Sequence, residues 1–86
     1  MNTKIKIIKH NLIEIEIEEE KGTVEFSAEF LTAGPFFSAL NDKDFFDAVS
    51  INNEEGMIEW PNGYGLSILE LYHDFKNIGK ELVVYL

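Results

Sequence analysis

This chain of 86 residues contains no cysteine and no arginine, and proline occurs only twice. Without cysteine there is neither a disulfide framework nor a thiolate metal site, and the chain suits a reducing compartment. Without arginine the commonest side chain for reading base edges and clamping phosphates is missing. Sixteen acidic against seven basic side chains leave a net charge of −9, which opposes the phosphate neutralisation that nucleic-acid binding needs. Long hydrophobic runs are absent as well. Lys4, Lys6 and Lys9 interrupt the first Ile-rich stretch, so it resembles neither a signal peptide nor a membrane span, which takes about 20 apolar residues. These absences predict a soluble, cytoplasmic domain with no nucleic-acid or membrane partner. The charge keeps a small domain in solution and, on a sharper reading, steers a basic partner protein.

What the chain does hold is apolar: 45% of it is hydrophobic and 13% aromatic, with seven Phe, three Tyr and one Trp. A chain of this size fits one domain, residues 1–86, and buries only roughly 60–65% of its unfolded surface. It therefore needs a dense core, and its patterning supplies one. Residues 4–9 alternate Lys with Ile and read as a strand with one wet face; His10-Asn11 reads as a turn. Ile13, Ile15 and Ile17 alternate with Glu14, Glu16 and Glu18, so the Ile side chains share one face. Glu19-Glu20-Lys21-Gly22 is predicted as a second turn with Gly22 at positive φ. Val24, Phe26, Ala28 and Phe30 then alternate with Glu25, Ser27 and Glu29 as a third strand. The three strands form an antiparallel meander, with lysines of the first opposite glutamates of the second.

Pro35 opens a short helix carrying Phe36, Phe37 and Leu40, and Asn41 or Asp42 caps another carrying Phe45, Phe46 and Val49. This pair is expected to lid the apolar face of the meander. Ser50–Asn52 and Met57–Trp60 flank a hairpin turn closed by Gly56. Trp60-Pro61-Asn62-Gly63 must end that strand: Pro61 fixes φ, and Asn62 and Gly63 both accept positive φ. Ser67-Ile68-Leu69-Glu70 is a capping box that starts an amphipathic helix, with Ile68, Leu71, Tyr72 and Phe75 on one stripe. Glu81–Leu86 is strand-like and is expected to pair with a sheet edge, in this chain or on a second subunit. The fold class is α+β: an N-terminal three-stranded antiparallel meander, two short helices, a β-hairpin, one amphipathic helix and a C-terminal strand.

Few residues carry chemistry. Carboxylates on one strand face stand about 6.8 Å apart, too far for Glu14, Glu16 and Glu18 to converge on one ion. Asp42, Asp44 and Asp47 resemble the start of a calcium loop, but its sixth and twelfth positions hold Asp47 and Asn53 rather than Gly and Glu. His10 and His73 are the only imidazoles, and Ser27, Ser38, Ser50 and Ser67 have no nucleophile context. Gly63-Tyr64-Gly65 lacks basic neighbours for an anion loop. No catalytic, cofactor-binding or metal-ligating residue is nominated, no cofactor is expected, and enzymatic activity is not expected. The residues nominated for partner contact or for organising the fold are Trp60, Pro61, Asn62, Gly63, Tyr72 and Tyr85. A ligand-binding or minor enzymatic site between helices and sheet is the alternative, and a homo-oligomer joined through the C-terminal strand is the other.

A resemblance covers roughly residues 4–74. After the meander come Gly34-Pro35-Phe36-Phe37, Leu40-Asn41-Asp42 and Asp44-Phe45-Phe46, then Gly56-Met57-Ile58-Glu59-Trp60-Pro61-Asn62-Gly63 and Leu71-Tyr72. This resembles the bacterial family called domain of unknown function 2442, with its W-P-N-G segment followed by L-Y. The likeness implies an α+β domain without catalytic residues. It also implies a neighbouring gene for a second small protein, as in a toxin–antitoxin pair. Some relatives append a helix-turn-helix domain; these residues hold none, so DNA binding is not implied. The Glu-rich second and third strands and the apolar residues 82–86 depart from the family's usual core.

Overall fold

Alternation at period two builds the first sheet. In the computed structural model, which describes residues 1–85, β1 (Thr3–Lys9), β2 (Leu12–Ile17) and β3 (Glu20–Phe26) form the antiparallel meander. Ile13, Ile15, Ile17, Val24 and Phe26 are all buried on its inner face. Lys4 stands opposite Glu16 and Lys6 opposite Glu14. The ion pair that forms on this wet face is instead Lys21 with Glu14, at 3.7 Å; exposed as it is, it contributes little.

The first turn uses Asn11 at φ +71°. The second lies earlier than expected, at Glu18-Glu19, with Glu18 itself at φ +56° and its N–H donated to the Asn2 carbonyl at 2.8 Å. Gly22 is therefore not a turn residue but an interior strand residue, paired with Ile15. Its value there is the missing side chain. A Cβ at position 22 would stand 2.5 Å from a ring carbon of Phe75 and 2.8 Å from the Lys80 carbonyl oxygen.

β3 also ends sooner than its alternation implies. The Ser27 hydroxyl accepts the Phe30 N–H at 3.1 Å and caps α1 (Ala28–Leu31), because a serine oxygen satisfies a helix-start donor better than a strand position uses it. Phe30 thus enters the core from a helix, 5.4 Å from the Phe26 ring. α2 (Pro35–Ser38), a 3-10 turn over Ala39–Asn41 and α3 (Lys43–Asp47) follow. Asp42 caps α3 through the Asp44 N–H at 3.0 Å, and Asp47 pairs with Lys43 at 2.7 Å. Those contacts account for two acids of the apparent calcium-loop start. Leu40 and Phe46 are fully buried beneath the lid, whereas Phe36 stays 47% exposed. The lid therefore has three short helices and a 3-10 turn where two helices were expected.

A second sheet comprises β4 (Ser50–Asn52), β5 (Met57–Glu59) and β6 (Gly65–Ser67), all antiparallel, with Gly56 at φ +67° in the hairpin turn. The expected hairpin is present, and β6 adds a strand too short to show a period. α4 (Ile68–Asn77) starts at Ser67, whose hydroxyl accepts the Glu70 N–H at 3.2 Å; Ile68, Leu71 and Phe75 are buried and Tyr72 half-buried. β7 (Glu81–Val84) then lies parallel to β3, Thr23 opposite Glu81 through Phe26 opposite Val84. The first sheet is thereby ordered β1-β2-β3-β7. The tail pairs within its own chain, and Leu86 lies outside the described residues. His10, at the β1–β2 turn, packs its ring 5.2 Å from Phe46 with both nitrogens buried and unbonded among the described residues.

At an ordinary strand position Gly→Ala is stabilising, since it restricts the unfolded chain. Gly22→Ala should do the opposite and cost about 1–3 kcal/mol, as overpacking does. Urea denaturation measures it, and in a Phe75→Leu background the penalty should shrink. A neutral Gly22→Ala would show that Phe75 does not rest on the backbone of β3.

Candidate functional site

The Trp60 turn was the foremost nominated feature, and its geometry is that of a clamp. Trp60 follows β5, is 2% exposed, and donates its indole N–H to the Phe46 carbonyl at 3.0 Å. Its main-chain N–H goes to the Tyr64 carbonyl at 2.8 Å, and its own carbonyl accepts the Gly63 N–H at 3.0 Å. Gly63 takes φ +92°, but Asn62 does not adopt positive φ, contrary to expectation. Asn62 works through its side chain instead. Its Oδ1 accepts the Tyr64 N–H at 3.1 Å and its Nδ2 donates to the Phe36 carbonyl at 2.8 Å. The turn thus binds the backbone of the helical lid at two points, Phe36 and Phe46. Pro61 is exposed at its tip.

Tyr64 completes the clamp, and nothing in the sequence singled it out beyond its place between two glycines after a turn. Its ring lies 5.6 Å from Trp60, 5.3 Å from Phe30 and 6.0 Å from Phe37. Burial pushes its phenol above the ordinary tyrosine value.

The remaining nominated residues stand apart. Tyr72 sits half-buried on α4 beneath the Lys76 ammonium, 5.1 Å from its ring centre. Tyr85 follows β7 and is 68% exposed. Among the described residues no ring contact joins either to Trp60. His73 is exposed and takes no part in the groove described next.

A groove of about 280 Å³ runs between β6 and β7. Val24, Leu66, Leu71 and Leu82 supply its apolar surface, and Glu70 and Asp74 its carboxylates; no lysine lines it. Asp74 stands in the last turn of α4, where the helix dipole disfavours a negative charge, and it has no ion-pair partner among the described residues. The Lys80 and Val84 carbonyls accept the Thr23 and Ser27 N–H groups. Main-chain groups alternate sides along a strand, so those of Glu81, Val83 and Tyr85 point away from β3. Val83 is 40% exposed on that edge. Among the described residues, no group of His, Asp or Glu side chains could hold a metal ion, and no helix is long and apolar enough to cross a membrane. Compared with known proteins, the chain matches no family model, no curated protein and no solved structure.

Trp60→Ala should cost about 3–5 kcal/mol of stability. Trp60→Phe should cost about 1–2 kcal/mol, since it keeps most of the ring and loses one buried hydrogen bond. Chemical denaturation measures both, and a stable Trp60→Ala chain would mark the indole as a contact surface rather than an anchor. The raised Tyr64 phenol gives a pH signature. The folded chain holds that proton more tightly than the unfolded chain, so its contribution is whole below about pH 10 and is lost as pH rises through the folded value. Tyr64→Phe should therefore lose less stability than the parent as pH rises above about 10, the ordinary tyrosine value. Parallel slopes in the two chains would dissociate Tyr64 from the alkaline loss.

Proposed function

We propose that this chain is a small, non-enzymatic protein-binding module of the bacterial cytoplasm, the antitoxin-like member of a pair with a second small, basic protein. The observation that carries the reading is the position of its surplus apolar surface. A core of Ile, Val, Phe, Leu and Trp side chains is buried, and among the large hydrophobics left exposed Val83 on β7 and Tyr85 just after it lie together at the outer edge of the first sheet. The net charge of the whole chain is −9 with no arginine, which favours the approach of a cationic partner. The likeness of Trp60-Pro61-Asn62-Gly63 and Leu71-Tyr72 to the domain of unknown function 2442 pattern supports a two-gene arrangement, and the lack of cysteine accords with the cytoplasm.

The alternative, a small-ligand or enzymatic site between helices and sheet, has less to draw on. That space is filled by Ile13, Phe26, Phe46 and Phe75, leaving the β6–β7 groove as the place for it.

Co-expression with the product of the adjacent gene tests the proposal. A stoichiometric complex that co-elutes on size exclusion, and weakens as salt rises, is the expected outcome. Failure to associate at micromolar concentration and low salt would sink it.

A further inference from the structure

The two outer edges of the first sheet are treated differently. β1 carries exposed Lys4, Lys6 and Lys9, and its register breaks between Ile7 and Lys9 around the exposed Ile8. Lysines and a bulge are the usual means of keeping a sheet edge from pairing with another chain. β7 has neither. Its one charged residue is Glu81, and the residues whose main-chain groups face outward include the exposed Val83 and Tyr85. Across the groove, Trp60 and Tyr64 form a bonded pair of the β5–β6 hairpin, and Ile68 donates to Gly56. By the same alternation the Gly65 main-chain groups and the Ser67 N–H face away from β5. Among the described residues, both walls of the groove thus offer unpaired backbone.

We infer that the open edge of β7 takes up an extended segment of the partner as a fifth strand, and that this segment alternates apolar residues with lysine or arginine. The inference rests on the protein-binding reading above. Strand addition draws affinity from main-chain hydrogen bonds and specificity from alternate side chains. On the inner side the added strand meets Leu66, Leu71 and Leu82, with Glu70 and Asp74 beside them. On the outer side it meets Glu25 and Glu81 beside Val83, along a second cleft that again has no lysine. Carboxylates without a cation on both faces select a basic strand and disfavour an acidic one. A second copy of this chain brings nine further negative charges, and its one basic strand, β1, is interrupted by the bulge.

The test uses the full chain and a fluorescent peptide of about six residues, the common strand length, alternating Lys with Val. A peptide of the same composition with its lysines and valines in separate blocks serves as control. Fluorescence anisotropy should show binding of the alternating peptide and at least about tenfold weaker binding of the block peptide. Val83→Pro removes an outward N–H from an edge, where proline is tolerated, and should weaken binding by at least about tenfold while circular dichroism stays unchanged. Asp74→Lys with Glu81→Lys leaves the edge backbone intact and should lower affinity similarly, with the salt dependence flattened. Equal binding of the two peptides, no binding, or full binding by a folded Val83→Pro chain overturns the inference. So does a dimer in sedimentation that Val83→Pro converts to monomer, since the edge would then belong to a second copy. A complex with the adjacent gene's product that forms equally with Val83→Pro overturns the edge while leaving the binding-module reading intact.

Discussion

A hydrogen atom at position 22 governs the approach of the longest helix to the sheet. With no side chain on Gly22, the Phe75 ring lies against the backbone of β3 and is almost wholly buried. The chain leaving α4 then passes close enough for the Lys80 carbonyl to accept the Thr23 N–H at 2.7 Å and for the Lys80 ammonium to reach Glu20 at 2.8 Å. Those contacts start β7 in register with Thr23. Because α4 begins at the end of β6 and delivers the chain to β7, the groove between the two strands takes its floor and acidic wall from that helix. One missing methyl group thus precedes the helix angle, the register of the tail and the shape of the candidate binding surface.

The other half of the molecule depends on the Trp60 clamp. Two side chains of one turn, the Trp60 indole and the Asn62 amide, each bond a backbone carbonyl in the lid. Short helices such as α2 and α3 are marginal on their own and draw stability from tertiary packing. Fastening their carbonyls to a turn rigidified by proline supplies that order. The aromatic edge-to-face contacts of Phe26 with Trp60 and Phe46 each add about 0.5–1.5 kcal/mol beyond area burial. A segment that reads as a site in the sequence is therefore first a fastening, and its exposed parts, Pro61 and the nearby Phe36 ring, are what it leaves to solvent.

Which parts of this architecture were legible follows from the range of the interactions. The meander, the Gly56 hairpin and the Ser67-capped helix were readable because each is specified by residues a few positions apart: Ile–Glu alternation, a turn glycine, a capping oxygen. Gly22 was misread because Glu-Glu-Glu-Lys-Gly has the composition of a turn, and its true role depends on Phe75, which no local pattern reveals. Glu18 taking positive φ is uncommon for a glutamate, so the turn fell two residues early without a signal. Ala28 and Phe30 extend the strand alternation, and only the competition from the Ser27 cap ends it. Of the candidate surface, the sequence showed an apolar tail with Tyr85 in it, but neither its parallel pairing nor its neighbour β6. Parallel pairing requires a long crossover, here the whole of residues 27–80, and so leaves no mark within the strand itself.

The proposed strand addition would give the net charge a role that a comparison of the two sheet edges makes specific. A chain whose acidity served solubility alone would gain from guarding β7 as it guards β1, since an apolar open edge invites association whatever the overall charge. The edge is left bare, with Glu25, Glu70, Asp74 and Glu81 lining the clefts beside it; under the proposal, electrostatics would be the discriminating element. Backbone pairing is indifferent to sequence, so an unguarded edge by itself would accept many strands. Like-charge juxtaposition costs several kcal/mol in a desolvated contact, which in the proposed complex would reject acidic strands, the second copy of this chain among them. Specificity is a difference between partners rather than an affinity for one. In the proposed complex the carboxylates would supply that difference, and the open backbone would supply the binding they restrict.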